Sequence, residues 1–352
     1  MPDQSVEVRN FVLACYAVSL ILGETILGTQ IRAKTVQNYV DDAALLFRIR
    51  RLPWIPLLST DHVKLIITTL TKYESVPNRR NMISDAMMHH LQNHLGTVDQ
   101  DSNFAAIFDW LVLGRYTGAR KSEWCQSTQS NFERILEWPS QPALAFIYSD
   151  FTFLDGNQRR TGINNLTNPI EIHYVRIKWR KQKNSNNDEE IDFARDYKHT
   201  DFCPVQAAVR IIQRAIRLHT PIDHPIAVYC NSAGQRRFIT DTQVARLLRS
   251  TASAVHNIPP KDPSLAQWST HSVRVTAANL LHRERFADSF IQKRLRWKST
   301  SFLDYLRNTI YSADQHATLS LSPSNLPPMG ERSYRENEPH DALLSAIAAA
   351  EN

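Results

Sequence analysis

Glycine is scarce in this chain of 352 residues, which has only nine of them. No Gly-rich loop of the kind that cradles nucleotide phosphates is found, which speaks against an ATP- or GTP-driven enzyme. Cysteine is scarce too. Cys15, Cys125, Cys203 and Cys230 lie far apart with no C-x-x-C pair, so neither a disulfide framework nor a cysteine zinc site is suggested, and a reducing compartment is expected. Long apolar runs are missing, and nothing approaches the ~18 residues that cross a bilayer. The stretch "FVLACYAVSLILG" at 11–23 lacks the basic start and small-residue cleavage site of a signal peptide and reads as a buried helix. "HHLQNH" sets His90 and His94 at the spacing of helical zinc ligands, but Leu91 stands where a metalloprotease helix needs its glutamate. A solvated helix face is expected there.

Positive charge is what the sequence has in excess. The formal charge is +6 and the pI is about 9.1. Basic residues gather in "RIRRL" at 48–52, "IKWRKQK" at 177–183 and "QKRLRWK" at 292–298. Cations interleaved with aromatics suit a polyanion better than a lipid surface, and nucleic acid leads the candidates. On composition alone an ordinary solvated surface serves as well.

Periodicity divides the chain into helices, a small antiparallel sheet, and helices again. Residues 1–73 read as helices over 6–22, 33–50 and 60–72, followed by a polar linker at 74–81. A helix resumes with Ser84 as its N-cap, and "NFAAIFDWLVLGRY" follows, broken by Gly118. From 143 to 195 the pattern is strand-like in "ALAFIYSDFTFLD", "EIHYVRIKWRKQK" and "EEIDFARD". Helices return near 204–218, 241–256, 271–285 and 299–310. The last section, 319–352, is a proline-punctuated arm followed by a short Ala-rich helix. The fold class is α+β, mostly α.

Polar residues stand out against this map. In "HSVRVTAANLL", Val273, Ala277, Leu280 and Leu281 recur on one helix face while His271 and Arg274 sit one turn apart beside it, able to donate to the same small anion. "YTGARKSEW" puts Arg120 just after a glycine turn with Glu123 one turn on. "IKWRKQKN" places Lys181 and Lys183 at a strand end, and "RWKSTSFLDYLRN" carries Trp297 and, eight residues later, Tyr305. Each piece is common alone.

Taken in order, they resemble the tyrosine recombinase family over about 80–315, with the preceding helices fitting that family's core-DNA-binding domain. The wording of "HSVRVTAANLL" and "RWKSTSFLDYLRNTIY" is most similar to the eukaryotic mobile-element branch, the Crypton-type and DIRS-type recombinases. The resemblance implies domains at 1–73 and 82–318, with a C-terminal arm after them. It also implies a catalytic set of Arg120, Lys183, His271, Arg274, Trp297 and Tyr305. Glu123 would orient Arg120. Two departures accompany it. The interval from Trp297 to Tyr305 is eight residues where many members have nine, which makes Tyr311 a rival nucleophile, and Thr276 stands where the branch usually has glycine. Lys181 competes with Lys183, because residues two apart on a strand share a face.

The implied chemistry uses these residue types for physical reasons. A tyrosine attacks the scissile phosphate and stores the bond energy in a covalent 3′-phosphotyrosyl link, so ATP is not needed. Two guanidinium forks hold the phosphate oxygens as charge builds on them, His271 and the Trp297 indole add donors, and a lysine protonates the leaving 5′-oxygen. No cofactor or metal is implied. The implied partner is double-stranded DNA, bound as a homodimer or homotetramer. Localisation is expected to be nuclear in a eukaryotic host and otherwise cytoplasmic with the nucleoid. The competing readings are a DNA-binding relative that no longer cuts and a type IB topoisomerase-like enzyme. The family also implies that the C-terminal helix docks on a neighbouring protomer; folding back on its own domain is the alternative.

Overall fold

The computed structural model describes residues 6–24, 31–50, 61–74, 79–125, 145–162, 166, 171–180, 182, 187–299, 302, 303 and 306. The chain divides into two units, Met1–Asn78 and Arg79–Asn352. The smaller consists of α1 (Val6–Leu22), α2 (Ala33–Ile49) and α3 (Asp61–Tyr73). Ala14, Ala17 and Leu20 recur along one face of α1 and close on Val36, Val40 and Val63, the small alanines letting the helix axes approach.

In the larger unit, α4 (Asp85–Leu95) is capped by Ser84, whose side chain accepts from the Met87 N–H. Next comes α5 (Asn103–Thr117), buried without interruption from Ala105 to Gly114. A helix apolar all round must sit inside other elements. Ser102 caps its start, and Gly118 ends it in the left-handed conformation (φ 55°), which glycine adopts without the Cβ clash. The short α6 (Lys121–Trp124) follows immediately.

The sheet follows, and its first strand meets α5 where Phe151 stands edge-on to Trp110, ring centres 6.5 Å apart. Strands β1 (Phe151–Leu154), β2 (Arg160–Thr161), β3 (Tyr174–Trp179) and β4 (Glu189–Ala194) pair antiparallel in the order β2-β1-β3-β4. On β3, Val175, Ile177 and Trp179 are buried while Tyr174, Arg176 and Lys178 alternate outward. The strand expected over 143–155 is shorter, because Tyr148–Asp150 forms a 3₁₀ turn. Asp150 closes that turn by accepting from the Ile147 N–H at 2.8 Å and from Arg180 Nε at 2.6 Å.

Four more helices follow among the described residues: α7 (Pro204–Arg217), α8 (Asp241–His256), α9 (His271–Arg283) and α10 (Asp288–Arg294). A hairpin of β5 (Val228–Cys230) and β6 (Arg236–Phe238) lies between α7 and α8. It is not foreseen from the sequence, since three residues are too few to show a period. Helix α9 also differs from expectation. More than one apolar face is covered, because Ser272 to Asn279 are all buried and His271 alone is exposed in the first two turns. No helix among the described residues is long and apolar enough to cross a membrane.

Candidate active site

The turn that ends α5 is the centre of the site. Gly118 brings the chain back so that Arg120 becomes the N-cap residue of α6, and Glu123 reaches back to it. One Glu123 oxygen, Oε2, accepts from the Arg120 backbone N–H at 2.8 Å, and the other, Oε1, from Arg120 Nη1 at 2.9 Å. Glu123 is buried while the Arg120 side chain keeps 22% of its surface exposed, so the carboxylate anchors the arginine from inside and leaves its outer edge open.

Helix α9 supplies the second arginine. Arg274 is 2% exposed. Its Nη1 donates to Gly118 O at 2.8 Å, its Nη2 donates to Leu295 O at 3.0 Å, and its guanidinium carbon lies 4.0 Å from the centre of the Trp297 ring. One planar fork therefore binds the Gly118 turn to the segment that carries Trp297, a geometry that a lysine could not reproduce. His271, at the start of the same helix, is exposed. The protein crowding its ring, together with the positive charges of Arg274 and Arg80, holds its pKa below the ordinary histidine value. At neutral pH the imidazole is thus neutral, with one donor and one acceptor nitrogen.

Thr276 ties the entry to α4 onto α9, because its hydroxyl donates to Ser272 O at 2.7 Å and accepts from the Ile83 N–H at 2.8 Å. Phe302 and Leu306, which bracket Tyr305 in sequence, are buried in a cluster with Ala277, Ala278, Ile291 and Leu295. Lys181, Lys183, Tyr305 and Tyr311 lie outside the described residues. The structure therefore brings together Arg120, Glu123, Arg274 and Trp297, with His271 beside Arg274.

Two members of the site escape a reading of the sequence. Arg296 has a side chain with 0% exposure. Its Nη1 donates to Thr117 O at 3.0 Å, its Nη2 pairs with Glu123 Oε2 at 3.2 Å, and its guanidinium carbon lies 3.7 Å from the Trp179 ring centre. Burial pushes this arginine down to about 10, with Glu123 opposing the shift, so it stays charged at neutral pH. Trp179, at the end of β3, also donates its indole N–H to Glu123 Oε2 at 3.2 Å. The only available signal was the bulk of aromatic and cation packed into "IKWRKQK" and "QKRLRWK".

Several cations of those two patches are already engaged within the protein, while Lys293 and Lys298 are exposed. Arg176 pairs with Asp192 (2.6 Å), Lys178 with Asp188 (2.9 Å) and Arg180 with Asp150 (2.6 Å). Arg294 lies over the Phe193 ring, 4.3 Å from its centre, and donates to Asp192 O at 2.8 Å, while Arg296 is internal. The aromatics serve as internal cation–π partners. Of the patch at 48–52, all side chains but those of Ile49 and Arg50 lie outside the described residues. A basic concavity forms elsewhere. A groove of about 800 Å³ runs along α8 and is lined by Arg80, Lys121, Arg246 and Arg249 against one carboxylate, Asp241. It starts beside the site, since Lys121 follows Arg120 and Thr270 precedes His271. Lys121 bonds Asp241 at 2.8 Å, and Arg249 donates to Trp268 O at 3.1 Å.

His90 and His94 lie with ring centres 4.6 Å apart and their planes tilted by 45°, and His94 Nδ1 lies 2.7 Å from His90 O. Among the described residues no cluster could hold a metal ion.

No protein-family model matches the chain, and no curated protein matches it. Several solved structures are similar to it. One is the Tn1549 transposon integrase in complex with transposon right end DNA, at 13% identity over 89% of this chain and 85% of that one, with a TM-score of 0.47. Another is the XerH site-specific recombinase bound to palindromic difH substrate, at 14% identity over 89% of this chain and 71% of that one, with a TM-score of 0.48. A third is a lambda integrase dimer bound to a COC′ core site, at 14% identity over 87% of this chain and 90% of that one, with a TM-score of 0.39.

Proposed function

We propose that this protein is a tyrosine site-specific recombinase that cuts and rejoins double-stranded DNA. The observation that carries the reading is the fork of Arg274. It donates to Gly118, 156 residues away, and to Leu295. Three sequence boxes with no local reason to meet thereby converge: that of Arg120, that of His271 and Arg274, and that of Trp297. Two guanidiniums beside a neutral imidazole, at the head of a basic groove, suit a phosphodiester whose non-bridging oxygens gain charge during substitution.

In this reading Tyr305 is the nucleophile, and the anchoring of Phe302 and Leu306 against α9 supports it. Its phenol oxygen bonds to phosphorus as the bond from phosphorus to the 5′-oxygen breaks. The phenol proton passes to the acceptor nitrogen of His271, and Lys183 gives a proton to the 5′-oxygen. Arg120 and Arg274 hold the phosphate oxygens, and Trp297 supports Arg274 from its ring face. The free 5′-hydroxyl of a second strand reverses the step. We further propose a mobile-element recombinase of the Crypton or DIRS kind, working in the nucleus as a dimer or tetramer on DNA.

The test is a nicked suicide duplex, from which the cleaved end diffuses away and traps the intermediate. A covalent protein–DNA adduct is expected with the wild type and with Tyr311→Phe, and none with Tyr305→Phe. Binding without any adduct would leave the DNA-binding relative as the correct reading.

A further inference from the structure

Arg296 has no role in the chemistry outlined above, yet it is buried at the heart of the site. Its guanidinium is wholly buried. Taking such a charge out of water costs several kcal/mol before pairing returns part of it. Its backbone sits at φ 58°, the left-handed region that disfavours a residue with a Cβ. Methionine or leucine would fill the same space on Trp179 without the desolvation penalty, so packing alone does not account for a guanidinium here.

What the guanidinium does is divide Glu123. One carboxylate oxygen is committed to Arg296, the Trp179 indole and the Arg120 backbone N–H, all on Oε2, leaving only Oε1 for the Arg120 side chain. Arg120 thus gives one Nη to Glu123 and keeps the rest of its fork available. Without Arg296 only the Trp179 indole and the Arg120 backbone N–H hold Oε2, and the carboxylate can turn further onto the Arg120 side chain, toward the bidentate pair that arginine and carboxylate prefer. That would turn the fork inward, away from an incoming anion. From this we infer that Arg296 is a positioning residue: by holding Glu123 from behind, it sets the aim of Arg120 at the scissile phosphate. The inference rests on the recombinase reading.

The variants follow from the backbone. Arg296→Gly suits φ 58° and removes the whole side chain, the guanidinium together with its packing on Trp179. Arg296→Lys keeps a charge but cannot span Thr117 and Glu123 together. Single-turnover cleavage of the suicide duplex and half-site affinity are measured for both, alone and combined with Glu123→Gln. Arg296→Gly is expected to slow cleavage by about 10²-fold, as a small misplacement of a catalytic group does, while affinity changes less than about twofold. In the Glu123→Gln background, where no carboxylate competes for Arg120, the same change should cost little more. A wild-type cleavage rate in Arg296→Gly, or an equal loss in both backgrounds, overturns the inference. If Arg296→Gly does not fold, Arg296→Lys decides: slowed cleavage at unchanged affinity supports the inference, and a wild-type rate overturns it. If the wild type itself yields no adduct, the recombinase reading fails separately. The Arg120 side-chain resonance in ¹⁵N-arginine-labelled protein then decides, since it should move in Arg296→Lys and stay put if the two arginines are independent.

Discussion

Arg274 and Arg296 grip adjacent carbonyls of one turn, Arg274 donating to Gly118 O at 2.8 Å and Arg296 to Thr117 O at 3.0 Å. They arrive from different directions, one from the interior of α9 and the other from the segment before Trp297. The turn they hold aims Arg120. Geometry in the candidate site is therefore set by buried guanidiniums, while Arg120 keeps part of its edge exposed.

Arg274→Lys is expected to fail twice. An ammonium can reach one of the two carbonyls, so the other is left buried without its donor, at a cost of about 1–3 kcal/mol in stability. The Gly118 turn also loses its tie to Leu295, and adduct formation should drop by about 10²–10³-fold. Chemical denaturation and single-turnover cleavage measure the two effects separately. Wild-type cleavage by this variant would remove Arg274 from the mechanism.

Much of the site was legible because its boxes are local. Arg120 and Glu123 are one turn apart, as are His271 and Arg274, and Gly118 announces its own left-handed turn. What no local pattern shows is which cations are already used. Arg176, Lys178 and Arg180 look like a basic stripe in sequence, but each meets a carboxylate from the neighbouring strand, from the hairpin turn or from the turn before β1. Arg296 was illegible for a related reason. Its role depends on a positive φ and on a tryptophan from a distant strand. The groove cations Arg80, Lys121, Arg246 and Arg249 come from three separate segments, so only the packing of α8 beside the site makes them a surface.

Gly114 marks a close approach of α5 and α9. A Cβ added there would overlap Val273 Cγ1, on the turn of α9 that also carries Arg274. Gly114→Ala is therefore expected to destabilise the larger unit by about 1–3 kcal/mol, as overpacking does, although alanine is the better helix former. Pairing it with Val273→Ala should restore most of the loss. Additive losses in the double variant, read by denaturant titration, would show that the two residues do not compete for space.

The histidines give stability a pH dependence of known sign. Protein crowding the ring and the neighbouring cations lower the pKa of His271 in the folded protein, and burial lowers that of His224. As pH falls below about 6.5, the unfolded chain takes up protons that the folded protein refuses, so stability is lost until the folded values are passed. It is fully present above that window. Asp192, Asp196 and Asp262 are held low by their hydrogen bonds, and their contribution is lost only further down, below about pH 4. Melting temperature should therefore fall between pH 7 and 5, and His271→Gln should flatten that slope in part, with His224 supplying the remainder. An unchanged slope in His271→Gln would contradict the crowding of its ring.

The groove along α8 makes a prediction that separates binding from chemistry. Arg246 and Arg249 are exposed and lie about one turn apart on α8. If the groove carries a DNA backbone, each arginine neutralises a phosphate and releases condensed counterions when it does so. Removing one should lower affinity for any duplex, whatever its sequence, and reduce the slope of log affinity against log salt by about one. Arg246→Ala is the cleaner variant, because Arg249 also donates to Trp268 O and its loss would disturb packing. Once DNA is saturating, the single-turnover rate of Arg246→Ala should equal that of the wild type if the residue serves binding alone. A salt slope identical to wild type would take the groove out of the DNA path, and a reduced rate at saturation would move Arg246 from binding into the chemistry.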